Sequence, residues 1–125
     1  MNNDEQRNDK TTEAIIGAAY TVSNTLGIGF LEKPYENALV YELRLMGLRV
    51  EQQVPIKIKY RDVIVGDYIA DIVVEGSVLV EVKAVQALDT VHEAQCLNYL
   101  RATGLKICLL INFGKSKITI RRLML

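Results

Sequence analysis

The chain has 125 residues, half of them apolar and 24% charged, which suits one small domain with a single core. Fifteen Lys and Arg balance fifteen Asp and Glu, so a strongly cationic nucleic-acid binder is not indicated, although zero net charge is compatible with a local basic stripe. No apolar run approaches the ~20 residues of a membrane span, and Cys96 and Cys108, lacking CxxC spacing, read as reduced core thiols of a cytoplasmic protein.

Residues 1–10 are polar, carry no signal-peptide segment and are expected to form a flexible tail, leaving residues 11–125 as a single domain. From Thr11 to Leu26 the apolar positions Ile15, Ala18, Ala19, Val22 and Leu26 have helical spacing, with Asp9, Thr11 or Thr12 as cap and Gly27-Ile28-Gly29 as terminator. A second helix is expected from Leu31 or Pro34 to Met46, since Pro34 is comfortable only in a first turn. Strands follow at Val50–Tyr60, Val63–Val74 and Val78–Lys83, joined by short turns into an antiparallel meander. A Thr-x-x-Glu capping box at Thr90–Glu93 opens a third helix that ends before Gly104. The apolar run Lys106 to Asn112 is reached through that helix and so is expected parallel to Val78–Lys83. A last strand, Lys117 to Leu123, closes a hairpin after Gly114-Lys115-Ser116.

Chemistry-bearing residues interrupt this pattern at one place. Tyr68–Val74 and Val78–Lys83 read as buried strands, yet they contain Asp71, Glu81 and Lys83. If Glu75-Gly76-Ser77 is the hairpin loop, opposed residue numbers sum to 152, which sets Asp71 across from Glu81, with Lys83 on the face of Glu81. Opposed like charges in an apolar sheet repel, and an unpaired buried carboxylate is costly. A divalent cation removes both problems. Magnesium needs only one or two carboxylates plus waters, so Asp71, Glu81 and the carbonyl of Val82 are candidate ligands for Mg2+ or Mn2+. Lys83 would orient or help deprotonate a nucleophilic water, as phosphodiester hydrolysis requires. The competing reading is a structural ion pair between Lys83 and Asp71 or Glu81, which gains little over an apolar replacement.

Asp71-x9-Glu81-x-Lys83 within this element order resembles the PD-(D/E)XK nuclease superfamily, and Gly29-x-x-Glu32-x-x-Tyr35 resembles the signature of its GxxExxY branch. The likeness runs from about Thr12 to the C-terminus; the Pro that often precedes the aspartate is replaced by Ala70. It implies an α/β (α+β) restriction-endonuclease-like core: a mixed central sheet flanked by helices, in the order α-α-β-β-β-α-β-β. It also implies a Mg2+-dependent nuclease hydrolysing DNA, in repair or defence. A further carboxylate is expected from the helix that Glu32 opens, with Glu36, one turn on, in reserve. Gln95 and Tyr99 resemble the Gln-x-x-x-Tyr element of exonuclease-like branches, which would add Gln95 to the catalytic group and Tyr99, with Tyr35, to substrate contacts.

Each of these positions also has a structural reading. His92, Gln95 and Tyr99 fall within roughly a 60° sector of the third helix, which describes an ordinary polar flank equally well, and His92 is the more plainly a first-turn residue. Lys57, Lys59 and Arg61 alternate with Ile56, Ile58 and Tyr60. They would grip a phosphate backbone or serve as the solvated face of an outer strand. The alternative function is a catalytically inactive nuclease-fold module binding nucleic acid or a protein partner. No membrane partner is expected. A homo-oligomer is an open partner, because so short a chain offers little surface to embrace DNA.

Overall fold

The computed structural model describes residues 3–125, so Met1 and Asn2 of the expected tail lie outside the described residues. The elements are α1 (Asn3–Leu26), α2 (Glu32–Leu45), β1 (Val50–Tyr60), β2 (Val63–Val74), β3 (Val78–Lys83), α3 (Thr90–Thr103), β4 (Ile107–Asn112) and β5 (Thr119–Met124). Five strands form one mixed sheet in the order β1-β2-β3-β4-β5. Only β3 and β4 are parallel, because α3 carries the chain across between them. This is a restriction-endonuclease-like arrangement.

The segment expected to be a tail is helical from Asn3 onward. Nothing in residues 3–10 breaks a helix, Asp4 and Glu5 complement the positive end of the helix dipole, and Asp9 accepts from Arg122 of β5 at 3.1 Å. The expected caps are therefore interior residues. Thr11 and Thr12 instead turn their hydroxyls back to donate to the carbonyls of Arg7 and Asp9, each at 2.9 Å.

Two apolar clusters sandwich the sheet. On one face Ile15, Ala19 and Val22 of α1 and Leu39 and Leu43 of α2 pack on Ile72, Val80, Leu109 and Ile111. On the other, Cys96, Tyr99 and Leu100 of α3 pack on Ile56, Ala70, Leu79 and Leu110. The assignment of Ala70 and Ile72 to opposite clusters breaks strand alternation. Gln53, between the pairs Gln52↔Ile72 and Val54↔Ala70, has φ +56°. That left-handed residue faces Asp71 in register and twists the β1–β2 ribbon at this point. Beyond it the ribbon leaves the covered sheet, so Tyr68 and Ile69, read from sequence as buried, are about half exposed.

Helix α3 starts where expected, but Asp89 is its cap. The Asp89 carboxylate accepts from the Val91 amide, and Nδ1 of His92 accepts from the Asp89 amide, each at 3.0 Å. His92 thus closes the capping box, and Glu93 is free to lie 3.9 Å from Arg121.

Candidate active site

The hairpin register follows the sum of 152: Val74↔Val78, Val73↔Leu79 and Ile72↔Val80. The next position brings Asp71 to Glu81. There the Asp71 side chain takes over from the ladder, its Oδ2 accepting the Val82 amide at 2.8 Å. Glu81 is 3% exposed, and its Oε1 is buried without a hydrogen-bond partner. Burial first, and then the adjacent Asp71 carboxylate, push the Glu81 carboxyl up to about 10; Lys83 opposes this only weakly. Lys83 is half-buried on the same sheet face as Glu81. Among the described residues none of the ion pairs includes Lys83, so the salt bridge that the structural reading calls for does not form.

Asn112 holds the chain just after Lys83, its register partner across the parallel pair β3–β4. Its buried amide donates to the Val85 carbonyl at 2.8 Å and accepts from the Val85 and Gly114 amides, both at 3.0 Å. Sequence reasoning missed this clamp, though the signal was akin to that of Asp71: a polar side chain in a run of apolar strand residues. Cys96 lies beneath the carboxylates against Cys108, whose thiol lowers that of Cys96 by hydrogen bonding and is itself raised.

Gln95 donates to the Tyr99 hydroxyl at 2.9 Å. Burial, followed by the charge of Glu81, pushes the Tyr99 phenol up to about 12, and Tyr99 packs in one apolar cluster with Ala70, the residue before Asp71. His92 is occupied in the cap of α3, whereas Gln95 and Tyr99 pair with each other on the flank that faces the sheet.

Other expected positions do not converge on the site. Tyr35 is fully buried, stacks on Phe113 at 4.9 Å and donates to the Gly27 carbonyl at 2.6 Å. It locks the α1–α2 loop and has no surface to offer a substrate. Tyr35→Phe is accordingly expected to cost about 1 kcal/mol of stability, read by urea denaturation, with substrate affinity unchanged. Glu32 is half-buried on α2. Glu36, the reserve, is only 2% exposed and takes hydrogen bonds from Gln52 at 2.6 Å and Gln53 at 2.8 Å, with Lys33 at 3.3 Å. Through Gln53 it abuts the strand position facing Asp71, but among the described residues neither Glu36 nor Glu32 joins Asp71 and Glu81 in a cluster of three. Lys57 pairs with Asp67, a bulge interrupts the ribbon between Ile58 and Lys59, and Arg61 enters the turn at φ +55°. The three cations therefore do not form one even row.

Among the described residues no cluster of three or more His, Cys, Asp or Glu is drawn together to hold a metal; the acidic side chains that meet at the end of the β2–β3 ladder are Asp71 and Glu81. Their oxygen chemistry fits a hard divalent cation, and the orphaned Glu81 Oε1 is the atom that such an ion would satisfy.

A mixed sheet between helices, with an acidic pair and a lysine at the splayed end of two adjacent strands, defines a nuclease-like class. Comparison with protein families matches the PD-(D/E)XK nuclease superfamily over residues 9–123, and the chain belongs to it. Searches of curated proteins and of solved structures found no match. Among the described residues no helix is long and apolar enough to cross a membrane.

Proposed function

We propose that the protein is a divalent-metal-dependent nuclease of the cytoplasm that hydrolyses phosphodiester bonds of DNA, in the branch carrying Gly29-x-x-Glu32-x-x-Tyr35, with a role in repair or defence. The observation that carries this reading is the unpartnered, buried Glu81 oxygen beside Asp71. Ionising the buried Glu81 beside a second carboxylate is expensive, which argues for a ligand of positive charge. Magnesium or manganese held by Asp71, Glu81 and the Val82 carbonyl would supply Lewis-acid charge at the scissile phosphate.

The chain's own groups account for the rest. Lys83 holds the attacking water and offsets charge building on the phosphate. Water adds to phosphorus, the bond to one sugar oxygen breaks, and a proton is passed on to the departing oxygen or to solvent. The Gln95 amide orients a phosphate oxygen or the water, and Asn112 positions Lys83 through the loop behind it. Glu36, or Glu32, stands as a further carboxylate on α2.

The test is cleavage of labelled single-stranded, double-stranded and branched DNA with Mg2+ or Mn2+. Lys83→Ala is expected to slow cleavage by about 10²–10⁴-fold while leaving the melting temperature nearly unchanged. Cleavage by the variant at the wild-type rate would sink the assignment. A catalytically silent module on the same fold is favoured by one observation, that among the described residues no third acidic side chain joins Asp71 and Glu81; absence of cleavage under every metal would establish it.

A further inference from the structure

A groove of about 890 Å³ runs between the β1–β2 ribbon and α3. Gln95 and Tyr99 line one wall and Tyr68 of β2 the other, and Tyr99 packs with Ala70, the residue before Asp71, so the groove borders the strand that carries Asp71. The residues around it include three cations, Lys57, Lys59 and Arg101, and no carboxylate, in a chain whose net charge is zero. Lys57 is neutralised by Asp67, whereas Lys59 makes no ion pair among the described residues. Arg101 donates to the neutral Asn98 at 2.9 Å and keeps its charge.

Tyr68 occupies the groove as an aromatic platform. Its ring leans on Tyr99 with centroids 5.9 Å apart and planes inclined at 50°, while half of the residue stays open to solvent. Gly66 makes room for it: a Cβ there would meet the Tyr68 ring at 3.1 Å and Ile58 at 3.3 Å. An aromatic ring held in place but left uncovered, in a groove that two free cations also line, matches unpaired bases strung on a phosphate backbone. Duplex DNA hides its bases and is held without sequence preference almost wholly by phosphate neutralisation, for which two free cations are few. A single strand gains from stacking at each base and tolerates any sequence.

We infer that this groove is a single-strand nucleic-acid subsite in which Tyr68 stacks on a base and Lys59 and Arg101 hold the flanking phosphates. The inference rests on the phosphodiester-cleaving reading of the neighbouring site and narrows its substrate to unpaired strands or the frayed ends of duplexes.

The experiment is fluorescence anisotropy with the full chain and a labelled twelve-residue oligothymidine, against a duplex of equal length, in EDTA so that cleavage does not intrude. The single strand is expected to bind at least about tenfold more tightly. Tyr68→Ala should weaken it roughly 5- to 100-fold, and Tyr68→Phe should restore most of the loss. Lys59→Ala should flatten the salt dependence by about 0.7 in log–log slope. Equal or tighter duplex binding, no binding of either, or indifference to Tyr68→Ala overturns the inference. Metal-dependent cleavage of duplex DNA with those results would leave the proposed activity standing. Tyr68-dependent single-strand binding without cleavage under any metal supports the subsite and removes the nuclease reading.

Discussion

Glu81→Gln is expected to stabilise the metal-free protein and, in the same molecule, to abolish the proposed cleavage. The carboxyl of Glu81 is raised from 4.5 to about 10 by burial and by Asp71. Between those two values the folded state holds a proton that the unfolded chain has released. The stabilisation from that proton is full below the ordinary carboxylate range and is lost as pH climbs toward 10, at about 1.4 kcal/mol per pH unit across the window. Glutamine keeps the shape and cannot ionise, so the variant should lack this slope. In EDTA at pH 8 it should unfold later than wild type, by on the order of 1–4 kcal/mol, as read by thermal and urea denaturation. Adding Mg2+ should close the gap, because an ion bound only by the native state stabilises by about 2.7 kcal/mol at a hundredfold excess over Kd. Glutamine should not respond. A variant that is less stable than wild type at pH 8 in EDTA would show that Glu81 is satisfied in some other way.

Gly114→Ala is expected to destabilise the fold more than an alanine at any other glycine, since its added methyl meets backbone most closely. An added Cβ would lie 2.2 Å from the Val85 carbonyl oxygen and 2.5 Å from its nitrogen. Both are backbone atoms, and both are already tied to Asn112. They cannot move aside without breaking the clamp behind Lys83. The loss should reach roughly 3–5 kcal/mol, a large part of the ~5–15 kcal/mol that holds a domain together. Asn112→Ala should cost about 2–4 kcal/mol by orphaning the two Val85 backbone groups. It should also slow cleavage in the fraction that stays folded, since Lys83 loses its anchor. A Gly114→Ala melting curve that overlays wild type would disprove the close approach.

The acidic pair was legible because a three-residue loop leaves a hairpin almost no choice of register, so that arithmetic alone brings Asp71 to Glu81. The parallel β3–β4 pairing followed from the intervening helix for a similar reason. Tyr35 was misread because a signature does not separate residues that react from residues that hold the loop, and a tyrosine hydroxyl serves either purpose. Glu32 and Glu36 stand one turn apart, and nothing local to α2 tells which of them faces inward. The exposed half of the ribbon was misread because alternation cannot tell whether a layer of helix lies above a strand. The structural reason is a single left-handed residue, Gln53, which carries no turn signal in the sequence.

Local and near-neighbour interactions dictate the element order, the β2–β3 hairpin register and with it the approach of Asp71 to Glu81, and these could be read from residue order. Which helix face turns inward, where the ribbon departs from the sheet, and how Tyr68 comes to lean on Tyr99 depend on contacts between segments far apart in the chain. Those contacts are settled by packing volume and by the backbone groups left to satisfy, quantities that exist only once the layers have closed on one another.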